Sequence, residues 1–111
     1  MSASLNALAK RAYVTALNHG FHERVVTWPD DGGARDARHI LSWLMLITSE
    51  VSEAAEEVRK GTPEKFVDEL ADVIIRTIDV AEALGLDIEQ AVLAKMAKND
   101  ARPFKHGGKR A

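Results

Sequence analysis

Four acidic residues in two matched pairs are the part of this sequence best equipped for chemistry. Glu50 and Glu53 stand three apart, and so do Glu69 and Asp72. On a helix that interval puts both members of a pair on one face. Gly61-Thr62-Pro63 lies between the pairs and interrupts the helical pattern. If the chain folds back there, Glu50 falls level with Asp72 and Glu53 with Glu69. Each pair then sits roughly 12–17 Å from the turn, at a rise of about 1.5 Å per residue. Four carboxylates converge across one antiparallel helix interface. Like charges brought together in a partly buried place are costly unless cations neutralise them. A set of oxygen ligands favours a hard ion, Mg2+ or Mn2+ as its substitute.

Acids at helical spacing are common on solvated faces. What separates these four is the apolar sequence around both pairs and the common level at which they fall. A di-iron carboxylate bundle would need Glu-x-x-His motifs, and no histidine occurs between positions 50 and 79. A Mg2+-type site remains, and phosphoryl chemistry is its usual client. Cations that could meet a phosphate chain gather further on. Lys95, Lys98 and Asn99 share a helix face, and Arg102 and Lys105 follow. A helix C-terminus favours cations on its own account, so a solubilising role and a phosphate-binding role both fit them.

The elements that must position these groups are helices. The chain has 111 residues, and its apolar content of 46% and charged content of 29% are ordinary for one folded domain spanning 1–111, with a basic tail over 100–111. A net charge of -2 gives no global argument for nucleic-acid binding. The lack of cysteine excludes disulfides, thiolate metal sites and thiol catalysis. No run is apolar enough to span a membrane or to serve as a signal-peptide core, so a cytoplasmic location is the default expectation.

Helical periodicity predicts a first helix from about Ala3 to His19, stopped by Gly20. A long loop over 21–35 follows, with turn chemistry in Trp28-Pro29-Asp30-Asp31-Gly32-Gly33. The second helix should run from about Asp36 to Lys60, and its apolar first half, HILSWLMLI, should be buried on more than one side. Glu56 and Glu57, near Arg59 and Lys60, read mainly as a solvated face. Thr62 caps a third helix with Pro63 at its first position, and Gly85 ends it. Two sides of that helix are apolar, with Glu69, Asp72, Arg76 and Asp79 as a polar stripe between them. A fourth helix starts at Asp87, with Gln90 three residues on, and ends by about Asp100 before Arg102-Pro103. The fold class is all-α: about four helices around a central antiparallel hairpin.

Several segments also resemble a known family. Glu50-x-x-Glu53, fifteen residues, then Glu69-x-x-Asp72 is similar to the acid pattern of the MazG-like all-α nucleoside triphosphate pyrophosphohydrolases. SEVSEAAEEVRKG, FVDELADVIIRTIDVAEALGLDIEQAV and KMAKNDARPFKHGGK resemble successive blocks of that family, covering roughly Leu44 to Lys109. The resemblance implies that Glu50, Glu53, Glu69 and Asp72 hold Mg2+ against a triphosphate. A metal-activated water would attack the α-phosphorus, leaving a nucleoside monophosphate and pyrophosphate. One carboxylate, with Glu53 a candidate, would orient or deprotonate that water instead. Lys95, Asn99 and Arg102 match the block that approaches the nucleotide, where cations suit phosphate and Asn suits sugar or base. Lys105 and Lys109 are further candidates in the tail.

For the remaining residues structural roles compete with functional ones. Arg76 and Asp79 lie on the stripe as outer partners of the metal ligands or as an internal ion pair. Trp43 reads as core, while Trp28 and Phe21 either pack the loop or stack on a base. His39 has no visible partner. The third helix has more apolar circumference than a monomer covers, so a homodimer or dimer of dimers is expected, in keeping with the family. No stable nucleic-acid or membrane partner is expected. The enzyme reading, a (d)NTP pyrophosphohydrolase for nucleotide-pool clearance, stands beside a catalytically silent module that binds metal and nucleotide, and beside a purely structural helical oligomer. Base and sugar preference are not encoded in these motifs.

Overall fold

In the computed structural model, residues 4–22, 25–29 and 34–103 are described, Ala34 and Arg35 for their backbone alone. Four helices form: α1 (Leu5–Asn18), α2 (Ala34–Lys60), α3 (Pro63–Ala83) and α4 (Ile88–Asp100). No strand occurs among the described residues, so the fold is all-α as expected.

The helix starts follow from local chemistry. Ser4, Thr62 and Asp87 each accept a bond from the backbone N–H three residues on, at 3.1, 3.3 and 3.0 Å. Each satisfies a donor that the first helical turn leaves without a partner. Pro63 opens α3, where a missing N–H costs nothing. Gly20 and Gly85, just beyond α1 and α3, adopt φ of +82° and +70°, which other residues reach only with strain. α2 begins two residues earlier than Asp36. That residue instead sits in the first turn, where its carboxylate favours the positive end of the helix dipole. It accepts from both the backbone N–H and the hydroxyl of Thr27, at 3.2 and 3.1 Å, which ties the preceding segment to the helix.

Thr62→Ala should cost about 1 kcal/mol of stability, the usual value of a lost helix cap. Urea denaturation would check this, and an unchanged midpoint would show that α3 is set by packing alone.

α3 is the central helix. α2 packs along one side and α1 along another, while the backbones of α1 and α2 stay apart among the described residues. The segment after α1 helps to close the space between them. Val26 from that segment is buried with Ile40 and Trp43 of α2, against Val80, Ala83 and Leu84 near the end of α3. Trp43 therefore belongs to the core, as the sequence indicates. Phe21 and Trp28 remain more than half exposed. The turn residues 30–33 and the tail from 104 lie outside the described residues.

The first half of α2 departs from expectation. Ile40 and Trp43 are buried, but Leu41, Leu44, Met45 and Leu46 are between 44% and 64% exposed. Among the described residues α3 is the only helix packed on α2, and Val26 adds cover at Ile40 and Trp43. α4 packs on α1 and α3 without reaching α2. Its apolar seam, Val92 and Met96 included, stays uncovered.

α4 is anchored at its root by a reciprocal clasp. The Asn6 side-chain amide donates to Asp87 at 2.8 Å, and its carbonyl accepts from the Glu89 N–H at 3.1 Å. In return, the Glu89 carboxylate accepts from the Asn6 N–H at 3.2 Å. Two helix N-termini thus face each other and exchange caps. The Asn6 amide, then the Gln90 N–H, hold the Asp87 carboxyl below its ordinary pKa.

Candidate metal centre

The hairpin of α2 and α3 brings the acids together across the interface. Glu50 reaches over from α2 and Glu69 and Asp72 from α3, with one carboxylate oxygen of each within 4.8 Å of the others. A shared register from Gly61 is what makes this possible. Ala54, one turn beyond Glu50, is buried and lets the two backbones approach beside the acids. Glu53 stands outside that trio but neighbours Glu69. The two can share a hydrogen bond when one of them carries a proton.

Gly61 leaves room here for the Glu57 side chain. A Cβ at that position would collide with the carboxylate of Glu57, which folds back over the turn. Glu57 thereby lies by the turn and outside the acid trio. Glu56 pairs with Arg59 at 3.2 Å and Lys60 at 3.6 Å on the solvated face.

Electrostatics make the cluster a cation site in waiting. Glu69 is half-buried, and its pKa is raised, first by loss of solvation, then by the Glu53 carboxyl and the charges of Glu53, Asp72 and Glu50. Its Oε2 is buried with no hydrogen-bond partner. An orphaned acceptor among oxygens of like charge is a place where either a cation or a proton shared with Glu53 relieves the crowding.

The stripe beyond the acids is wired differently from an Arg76–Asp79 pair. Arg76 donates from Nε to Glu50 Oε1 at 2.9 Å. Asp79 is bound by His22 Nε2 at 2.8 Å, and the His22 side chain is only 4% exposed. That ring stacks on Tyr13, with centroids 4.8 Å apart, and meets the edge of Trp43 at 5.4 Å. His39 approaches Trp43 edge-on at 5.1 Å. Nothing in the local pattern singled out His22. Its placement between α1 and α2 is the one signal the sequence carries for it.

A cavity of about 520 Å3 lies between α1 and α3 beside the acids. Ala12, Ala16, Ile75 and Ile78 contribute to its walls, and Asp72 and Arg76 border it. Its size is that of an ordinary small-molecule site. Lys95, Asn99 and Arg102 lie on or just after α4, all exposed. Among the described residues no hydrogen bond or ion pair joins them to the acids. Lys105 and Lys109 fall outside the described residues.

Residues 44–110, more than half of the chain, match the model of the MazG-like family. The chain belongs to the MazG-like family. Neither a curated protein nor a solved structure matches it. The matched segment contains both acid pairs, the turn between them and all of α4. Membership brings the fold type of nucleotide pyrophosphohydrolases, and metal dependence is typical of MazG-like proteins. The acid cluster is a possible metal site in keeping with that. No helix among the described residues is long and apolar enough to cross a membrane.

Proposed function

We propose that this protein is a Mg2+-dependent nucleoside triphosphate pyrophosphohydrolase that cleaves (d)NTP to (d)NMP and pyrophosphate. One observation carries the reading. A MazG-like chain presents three carboxylates within 4.8 Å of one another, among them the buried, unpartnered Oε2 of Glu69. Mg2+ held there, or Mn2+ in its place, supplies charge neutralisation of the phosphates and a water of lowered pKa. Glu50, Glu69 and Asp72 are its proposed ligands. Glu53, beside Glu69 but outside the trio, is placed to ligate or to take a proton from the attacking water. Attack at the α-phosphorus breaks its bond to the bridging oxygen of the β-phosphate, and pyrophosphate departs.

The groove between α1 and α3 offers the nucleoside a bed beside Asp72. Lys95, Asn99, Arg102 and Lys105 are the proposed contacts to phosphate and sugar. Because α4 does not reach α2, these groups come to the acids most simply from a second copy. The uncovered apolar residues of α2 and α3, such as Met45 and Val67, support a homodimer or dimer of dimers. The proposed role is nucleotide-pool clearance in the cytoplasm. The separation of α4 from α2 within one chain also favours a second reading, a module that binds metal and nucleotide without turnover.

A panel of ribo-, deoxyribo- and modified triphosphates, assayed with Mg2+, Mn2+ or chelator, decides between them. Metal-dependent release of monophosphate and pyrophosphate is the expected outcome. Nucleotide-dependent thermal stabilisation without product would select the binding module.

A further inference from the structure

Arg76 holds a position that the metal reading leaves unused. Among the described residues it is the one cation in ion-pair contact with the acids at 50, 53, 69 and 72. The contact is made by Nε alone, at 2.9 Å from Glu50 Oε1. The two terminal guanidinium nitrogens have no hydrogen bond to any described residue, and the side chain is about one-third exposed. They are not drawn off by Asp79, the next acid on the stripe, because His22 holds that carboxylate. The guanidinium carbon lies 5.7 Å from the centre of the Phe21 ring, close enough for that ring to help hold its plane. Arg76 also borders the large cavity between α1 and α3 and a smaller one beside Trp43.

A guanidinium tethered through Nε keeps four N–H donors in a fixed plane, a geometry suited to two oxygens of a phosphate. We propose that Arg76 is a substrate-contacting residue: its terminal nitrogens bind the phosphate chain of the nucleotide while Nε keeps Glu50 turned toward the metal. This inference rests on the pyrophosphohydrolase reading. It assigns the phosphate chain a cation beside the acids, within the same chain, in addition to those of α4.

Binding, measured apart from turnover, tests it. The probes are Mn2+ alone, followed by electron paramagnetic resonance, and a triphosphate analogue with a non-hydrolysable α,β-bridge in the presence of Mg2+. Arg76→Gln keeps an N–H donor for Glu50 but removes the charge. It should bind Mn2+ at least as well as wild type, since a nearby positive charge is gone. The analogue should bind at least about tenfold more weakly, and the corresponding monophosphate much less affected. Arg76→Lys keeps the charge without the fork, so an intermediate loss of analogue affinity is expected. Circular dichroism establishes that each variant is folded, and Arg76→Lys carries the test if Arg76→Gln is not. Parallel weakening of Mn2+ and analogue would reduce Arg76 to a prop for Glu50 and overturn the inference. So would analogue affinity retained in full by either variant. Wild-type protein that binds neither probe would defeat the pyrophosphohydrolase reading itself.

Discussion

Glu69→Gln is expected to lower metal-dependent pyrophosphate release by at least about a hundredfold, a scale usual for a group that holds charge in the reacting complex. The same substitution should make the metal-free protein more stable. Both effects come from one circumstance. Glu69 is crowded by Glu53, Asp72 and Glu50 and has lost part of its hydration, so its folded-state pKa is raised. A group with a raised folded pKa contributes stability below its unfolded value and loses that contribution as pH rises through the folded one. Metal-free protein should therefore weaken as pH climbs through that window, and Mg2+ should restore it above the window by replacing the proton. Gln at 69 carries no charge and removes the dependence. Thermal melts across pH, with chelator and with Mg2+, would measure this. A wild-type profile that is flat without metal would contradict the electrostatic account, and full turnover in Glu69→Gln would contradict the catalytic one.

Trp43→Ala is expected to destabilise the fold by about 3–5 kcal/mol, the usual range for truncating a buried aromatic. Marginal stability makes that a large fraction of the total. Trp43 is 8% exposed and is grouped with Val26 and Ile40 in the buried cluster that meets the end of α3. His22 and His39 both turn against its ring. The melting temperature should fall by roughly 10–20 °C. Loss of His22's packing should also loosen its bond to Asp79, 2.8 Å long in the intact fold. A melting temperature within a few degrees of wild type would mean that the exposed faces, covered in an assembly, supply most of the stability.

What the sequence makes legible is what is local or periodic. Thr62-Pro63 and Asp87 announce helix starts because capping uses the next three residues. The level pairing of Glu50 with Asp72 is legible because a tight turn at Gly61 fixes the register of the hairpin. The remainder depends on chain segments far apart in sequence. His22 meets Asp79 across 57 positions, and Asn6 meets Asp87 and Glu89 across 81 and 83. No periodicity encodes such pairings. Val26, in a stretch that reads as loop, becomes core because it packs on Ile40 and Trp43 of α2 against the end of α3. The extent of burial along α2 is likewise a tertiary fact. Its apolar first half specifies that partners are needed, but their number within one chain depends on where α1 and α4 come to rest.

The clasp between Asn6, Asp87 and Glu89 secures only the first turn of α4. Every residue from Gln90 to Asp100 is exposed, so the later turns rest on their own backbone bonds. A helix of 13 residues left to itself in water is marginal. Local stability must fall along α4 from its root outward, and Lys95, Asn99 and Arg102 occupy the weaker end. Whatever these side chains grip must also bear the entropy of holding that end still. A protein surface that covers Val92 and Met96 beforehand would lift that cost from the ligand, so on the proposed reading nucleotide affinity and self-association would be linked through a helix that touches little else.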